Sequence, residues 1–282
     1  MTLARTADLV SDAARRQRAV AAFNVITLEH AEAIADAAAA SDQAVIMQIS
    51  ENAVRFHGGQ LEPIALATIA VARHIAVPVA IHLDHVTDDE LAARAADAGF
   101  SSLMYDAGAL PYEQNIERTG RAVRLAHASG LWVEAELGYV GGKPDAPASA
   151  HAAGVRTDPD EADEYVRRTG VDALAVAVGS SHAMTARTAS LDAALIGRLH
   201  DRLGVPLVLH GSSGVSHDEL RAAVAAGISK VNVGTALNVA MTASVRATLA
   251  DDPALVDPRR YLDAARRQMS DAVQELLTTL VG

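Results

Sequence analysis

The chain of 282 residues contains no cysteine. That absence excludes disulfides, thiolate zinc sites and a cysteine nucleophile together. Lysine is nearly as scarce, with only Lys143 and Lys230 present. An imine-forming mechanism could therefore use Lys230 in a strand or nothing in a strand. A buried lysine there equally fits a structural role, paired with a carboxylate at the rim. Aromatic residues make up 3% of the chain, so the core must be aliphatic and base-stacking surfaces are few. The formal net charge of −11 argues against nucleic acid or an anionic membrane as a general partner. No apolar run reaches membrane-spanning length, and the stretch "MTLARTADLVSDAARRQRAV" is amphipathic without a continuous apolar segment. Cytoplasm is the expected location.

What is present is an ordinary globular balance, 50% hydrophobic and 21% charged. Short aliphatic runs predict strands over 20–25, 44–50, 77–83, 101–106, 131–137, 172–178, 206–210 and 229–233. Alanine-rich helical patterns lie between them, at 28–41, 88–98, 111–129, 159–169, 190–203 and 216–226. Eight such alternations predict a (β/α)8 TIM barrel, one domain over 1–282, with an N-terminal helix and a C-terminal helical extension. A doubly wound open sheet is the runner-up. Helix starts are marked by "TLEH" at 27, "TDDE" at 87, "DPDE" at 158 and "SHDE" at 216, each an N-cap type with an acid or polar partner downstream. The connection 139–158 breaks the alternation with Gly, Pro and Ala and no periodicity, which marks it as a lid over the C-terminal face.

Barrel enzymes place their chemistry at the C-terminal ends of the strands. Here those ends carry Ser50, Glu51, Asp84, His85, Asp106, Glu134, Glu136, His182, His210 and Asn232. Three imidazoles at exits three, six and seven, His85, His182 and His210, suit Zn²⁺ with an open position for a substrate oxygen. Within "IHLDH", period-two alternation puts His82 and Asp84 on one face and His85 on the other. Asp84 and His85 then meet one substrate only if the strand frays into its loop there. "HGSSGV" (210–215) and "NVGT" (232–235) follow strands seven and eight, the usual phosphate cradle of such barrels. Glycines admit the backbone N–H groups to the oxygens, Ser212 and Ser213 add hydroxyls, and a helix N-terminus adds its dipole.

Taken together, "AFNV" (22–25), "HLDH" (82–85), "VEAELGYVGG" (133–142), "VGSSHAM" (178–184), "LVLHGSSGV" (207–215) and "KVNVGT" (230–235) resemble the class II, metal-dependent fructose/tagatose-bisphosphate aldolase family. The chain looks closer to the tagatose-bisphosphate and ketose-bisphosphate branch than to the longer fructose-bisphosphate enzymes. The resemblance implies Asp84 as the catalytic residue and His85, His182 and His210 as zinc ligands. It implies a second metal in some members at Asp106 and Glu136, and a second divalent or a monovalent cation as a further cofactor. Gly211, Ser212 and Ser213, with Asn232, Val233, Gly234 and Thr235, match the segments that hold a dihydroxyacetone-phosphate half; Asn24 and Ser50 complete the expected substrate contacts. Arg259 matches an arginine that in some members reaches a neighbouring subunit, so a homo-oligomer, dimer or tetramer, is expected, with a small phosphorylated sugar as the other partner.

Three positions depart from the family pattern. Ala183 stands where a glycine usually follows the second zinc histidine, and Ala236 stands where an acid is usual. The loop glutamate falls on Pro144, which leaves Asp145 as the substitute proton donor. Two readings compete with an aldolase. A metal-dependent hydrolase would have no use for the two phosphate loops. A non-catalytic sugar-phosphate-binding barrel is favoured only by Pro144.

Overall fold

The computed structural model describes residues 3–138, 155–182 and 184–280. Helix α1 (Thr6–Arg15) precedes β1 (Val20–Asn24), α2 (Leu28–Ser41), β2 (Val45–Ser50), α3 (Glu51–Phe56) and α4 (Leu61–Ala72). Then come β3 (Val79–Val86), α5 (Asp89–Arg94), β4 (Ser102–Tyr105), α6 (Tyr112–Ala128), β5 (Trp132–Leu137) and α7 (Pro159–Thr169). The chain ends with β6 (Ala173–Val176), α8 (Ala193–Arg202), β7 (Leu207–Leu209), α9 (His217–Ala225), β8 (Ile228–Val233), α10 (Thr235–Asp251) and α11 (Pro258–Leu280). The eight strands pair in parallel and in chain order, and β8 returns to β1, so the sheet is a closed barrel. The open doubly wound alternative is thereby excluded. Among the described residues, no helix is long and apolar enough to cross a membrane.

The alternation of each strand sorts its side chains. Phe23, Met47, Leu83, Leu103, Val133, Leu174, Leu209 and Val231 face outward into the main core, against the helices. The inward-facing residues change character with depth. At the bottom, Val20, Ala22, Ile46 and Ala80 form an apolar plug with Val10 and Ala13 of α1. Helix α1 closes this end, its Thr6 hydroxyl 2.6 Å from that of Ser102 and its backbone tied to Ser101. Higher up the lining turns polar, through Gln48, His82, Glu134 and Lys230, all buried. Apolar filling below and polar residues above direct the chemistry to the C-terminal rim.

Caps fix the start of the helices that follow the strands. Asp158 accepts from the N–H groups of Asp160 and Glu161 with Pro159 at the first helical position, and Ser216 accepts from Glu219 N–H. The expected cap at residue 87 shifts by one. Asp88 caps α5, because Thr87 gives both its N–H and its hydroxyl to the buried Glu51 carboxylate. Glu51 thus pins the β3–α5 connection beside Asp84.

Ile46 is fully buried at the floor, where little can relax around it. Ile46→Ala is expected to cost about 2–5 kcal/mol, read as a drop in the urea midpoint of unfolding. A loss under about 0.5 kcal/mol would mean that the floor collapses to fill the space.

Candidate active site at the C-terminal rim

Strand β3 does not fray at its end. It continues through Val86, but its register against β4 shifts between Leu83 and Val86, and His85 takes φ +50°. A left-handed residue inside the strand turns the His85 side chain back to the side that Asp84 already faces. The expectation of a frayed exit is therefore corrected, for a bulge joins the two residues. Asp106 Oδ2, 2.9 Å from His85 Nδ1, holds the ring in that strained setting.

The three imidazoles meet. Ring centroids lie 5.2 Å apart for His85 and His182, 5.0 Å for His85 and His210, and 5.8 Å for His182 and His210. Glu136 joins them, and one ligand atom from each of the four lies within 4.8 Å of every other. Three nitrogens and a carboxylate oxygen are a donor set for a divalent transition metal. His182 Nε2 is buried without a hydrogen-bond partner, 3.9 Å from Glu136 Oε2, as a nitrogen kept for a cation would be. Burial lowers the His182 pKa. His210 moves the other way. Burial opposes its charge, but hydrogen bonds to Glu134 and Glu136 outweigh that and push it up to about 9. Asp106 bonds the ring of His85 rather than joining the four-residue group.

Asp84 faces the same space. Gln48 Nε2 donates to its Oδ2 at 3.3 Å and Asn232 Nδ2 to its Oδ1 at 3.4 Å. One cavity is lined by Asn24, Asp84, His85, His182, Gly211, Ser212, Ser213, Asn232, Gly234 and Thr235. Gln48 and Asn238 line it as well and were not foreseen. Gln48 was legible, as an inward position on β2 beside His82; Asn238, on the first turns of α10, carried no signal.

Other expected residues sit elsewhere. Ser50 caps α3 by accepting from Ala53 N–H and does not line the cavity. The Val233 side chain is packed in the outer core, leaving only its backbone to the rim. Arg259 stands exposed on the first turn of α11, bonded to Asp257. Asp145, Pro144 and Ala183 lie outside the described residues.

The two glycine loops are tied to each other. Ser212 donates its hydroxyl to Asn232 O at 2.5 Å, and Ser213 Oγ accepts from Ala236 N–H at 3.0 Å. The Ser212 hydroxyl thus braces the loop, while Gly211, Ser212, Ser213, Gly234 and Thr235 line the cavity. Lys230, fully buried, donates to Glu134 and Asn232 at 2.8 and 2.7 Å, which is the structural pairing and not a free amine.

The sequence matches the model of the family described as Fructose-bisphosphate aldolase class-II over residues 4–281. It is 40% identical over 283 residues to a fructose-bisphosphate aldolase of Geobacillus stearothermophilus, spanning 100% of this chain and 96% of that one. A fructose-bisphosphate aldolase of Staphylococcus epidermidis is 37% identical over 276 residues, with 97% and 96% covered. Among solved structures, the YdjI aldolase from Escherichia coli K12 superposes with a TM-score of 0.83 at 31% identity, covering 99% of this chain and 97% of that one.

Gly211 and Gly58 both adopt positive φ, +67° and +70°, but a Cβ on Gly211 would lie 2.6 Å from the Ser181 backbone, whereas one on Gly58 meets nothing. Gly58→Ala should cost only the left-handed penalty of about 1–2 kcal/mol. Gly211→Ala should cost visibly more, compared by the two melting temperatures. Equal losses would show that the rim loop yields freely.

Proposed function

Because the chain belongs to the class II fructose-bisphosphate aldolase family, we propose that it is a zinc-dependent lyase that cleaves a ketose 1,6-bisphosphate, fructose or tagatose. The products are dihydroxyacetone phosphate and glyceraldehyde 3-phosphate, and the setting is cytoplasmic. The observation that carries the reading is that His85 and His182 of the four-residue group line one cavity together with Asp84 and the two glycine loops.

In this reading His85, His182 and His210 hold the cation, with Glu136 beside them. When bound, Zn²⁺ supplies Lewis-acid polarisation of the carbonyl next to the bond that breaks. Asp84, positioned by Gln48 and Asn232, takes the proton of the C4 hydroxyl. The C3–C4 bond breaks, C4 leaves as the aldehyde, and the electron pair stays on the C3 side. Backbone N–H groups of the 211–213 loop and the start of α10 receive the phosphate of that half. A loop acid, with Asp145 as the residue at hand, returns a proton to carbon. Arg259 reaches the far phosphate of a neighbouring subunit's substrate, which makes the working form a homo-oligomer.

The test couples cleavage of each sugar to detection of dihydroxyacetone phosphate, with EDTA treatment and Zn²⁺ add-back. EDTA should abolish activity and zinc restore it, and the faster sugar names the substrate. Asp84→Asn should lower kcat about 10²–10⁴-fold. Activity that survives EDTA and is trapped by borohydride would sink the zinc mechanism. Zinc binding with neither sugar cleaved would point to another phosphorylated ketose or to a binding protein. Separately, Arg259→Ala should raise KM for the bisphosphate while kcat changes less, since a charge-assisted bond to phosphate is worth about 1.5–3 kcal/mol. An unchanged KM would remove Arg259 from the site.

A further inference from the structure

Behind the cation group runs a buried chain of charges that no step of the cleavage uses. Lys230 Nζ lies 2.8 Å from Glu134 Oε2, and both side chains are fully buried. The other oxygen, Glu134 Oε1, lies 2.8 Å from His210 Nε2. On the opposite edge of the same ring, Nδ1 meets Glu136 Oε2 at 2.8 Å. Glu136 belongs to the cation group and Glu134 does not. The two nitrogens of His210 therefore face different ways, Nδ1 into the group and Nε2 onto Glu134.

A neutral imidazole offers a lone pair at one nitrogen only while its proton sits on the other. A carboxylate accepts hydrogen bonds and cannot donate one, so Glu134 demands the hydrogen on Nε2, while the hydrogen that Glu136 holds on Nδ1 is the one a bound cation would displace. We propose that Glu134, clamped by Lys230, is a positioning residue that fixes His210 as the Nε2–H tautomer and sets the tilt that presents Nδ1 to the cation. The fixed length of the pair matters, because Lys230 also bonds Asn232 and so cannot let Glu134 swing away. A carboxylate behind a ligand histidine typically contributes a factor of 10–100 in metal affinity. The inference rests on the reading of these residues as a cation site, but not on the substrate.

The experiment measures Zn²⁺ affinity of the full chain by competition with a chromophoric chelator, alongside the melting temperature of the metal-free protein. Single variants leave one buried charge alone, so the informative proteins are doubles. Glu134→Leu with Lys230→Met removes the acceptor and both charges. Glu134→Gln with Lys230→Met also removes both charges but keeps an oxygen that can accept from His210 Nε2–H. The first double should bind zinc about 10–100-fold more weakly than the native chain, and the second should recover most of that loss. A purely structural ion pair would leave the two doubles alike. Near-native affinity in the leucine double, or no recovery in the glutamine double, would overturn the proposal. Should the doubles fail to fold, long-range ¹H–¹⁵N correlation on the zinc-loaded native chain reads the tautomer of His210. A proton on Nε2 sustains the proposal and zinc on Nε2 overturns it. Because every readout is zinc binding and not turnover, a chain that binds zinc as described yet cleaves neither sugar would sink the ketose 1,6-bisphosphate reading alone.

Discussion

The buried ion pair between Lys230 and Glu134 is the interaction on which the upper half of the barrel interior depends. Taking two such charges out of water costs several kcal/mol per ion, and their attraction repays it only when the remaining hydrogen-bonding positions are filled. Here they are filled by residues of the rim. Lys230 takes Asn232 as its second partner, and Glu134 takes His210. Asn232 in turn donates to Asp84. Burial would raise the Glu134 pKa, but Lys230 and His210 outweigh it and hold the carboxyl far below its usual range. His82, deep in the same layer, is driven down to about 3, first by burial and then by the Lys230 charge. It sits there as a neutral ring, bonded to Ser102 and through Ser102 to Thr6 of the closing helix. Hydrogen bonds therefore tie His82 to the floor of the barrel, and a second set above it joins Lys230 to His210 through Glu134 and to Asp84 through Asn232.

Around that rigid centre the rim carries strain. His85 occupies a left-handed conformation that costs an ordinary residue about 1–2 kcal/mol. The surroundings over-determine it, since Val86 resumes pairing with Tyr105 and Asp106 fixes the ring. Gly211 is also left-handed, and its hydrogen is all that fits against Ser181. Both features bring groups closer to the cavity than regular strand geometry allows. Stability is given up at the rim and supplied by the aliphatic packing outside the strands.

Much of this was legible in the sequence because two periods govern it. Alternation within 20–25 and 44–50, and the eight-fold recurrence of such runs, favoured a closed parallel sheet over an open one, and the sheet closes. Once the sheet closes, the strand ends must converge, so Asp84 meets Asn232 and Glu136 meets the three histidines without any contact being known beforehand. His85 was the test of that logic, because period two alone sends it outward; a single positive φ reverses it, and backbone bulges leave no mark in a run of side chains. Thr87 and Asp88 differ for a similar reason. Either can cap a helix, and the choice falls to Glu51, thirty-six residues away in sequence. Ser212 gives its hydroxyl proton to Asn232 O, and Ser50 accepts from Ala53 N–H as the cap of α3, outside the cavity lining. A hydroxyl near a site has many suitors, and only the packed fold decides among them.

The balance of charge at the rim bears on how an acidic chain can hold an anion at all. Asp84, Asp106, Glu134 and Glu136 crowd the site, and among the described residues Lys230 is committed to Glu134 while His210 bonds both Glu134 and Glu136. The glycine loops offer dipoles, not full charges. Without a cation, a phosphate entering this cavity would approach several carboxylates through a weakly polarisable wall, where repulsion between like charges is stronger than in water. A divalent ion held among His85, Glu136, His182 and His210 would reverse that sign beside the cavity that Asp84 lines. In a chain with a net charge of −11, a cation held by this group would thus be an electrostatic precondition for the phosphate binding proposed at the glycine loops. The cradle and the three histidines make physical sense only as a unit.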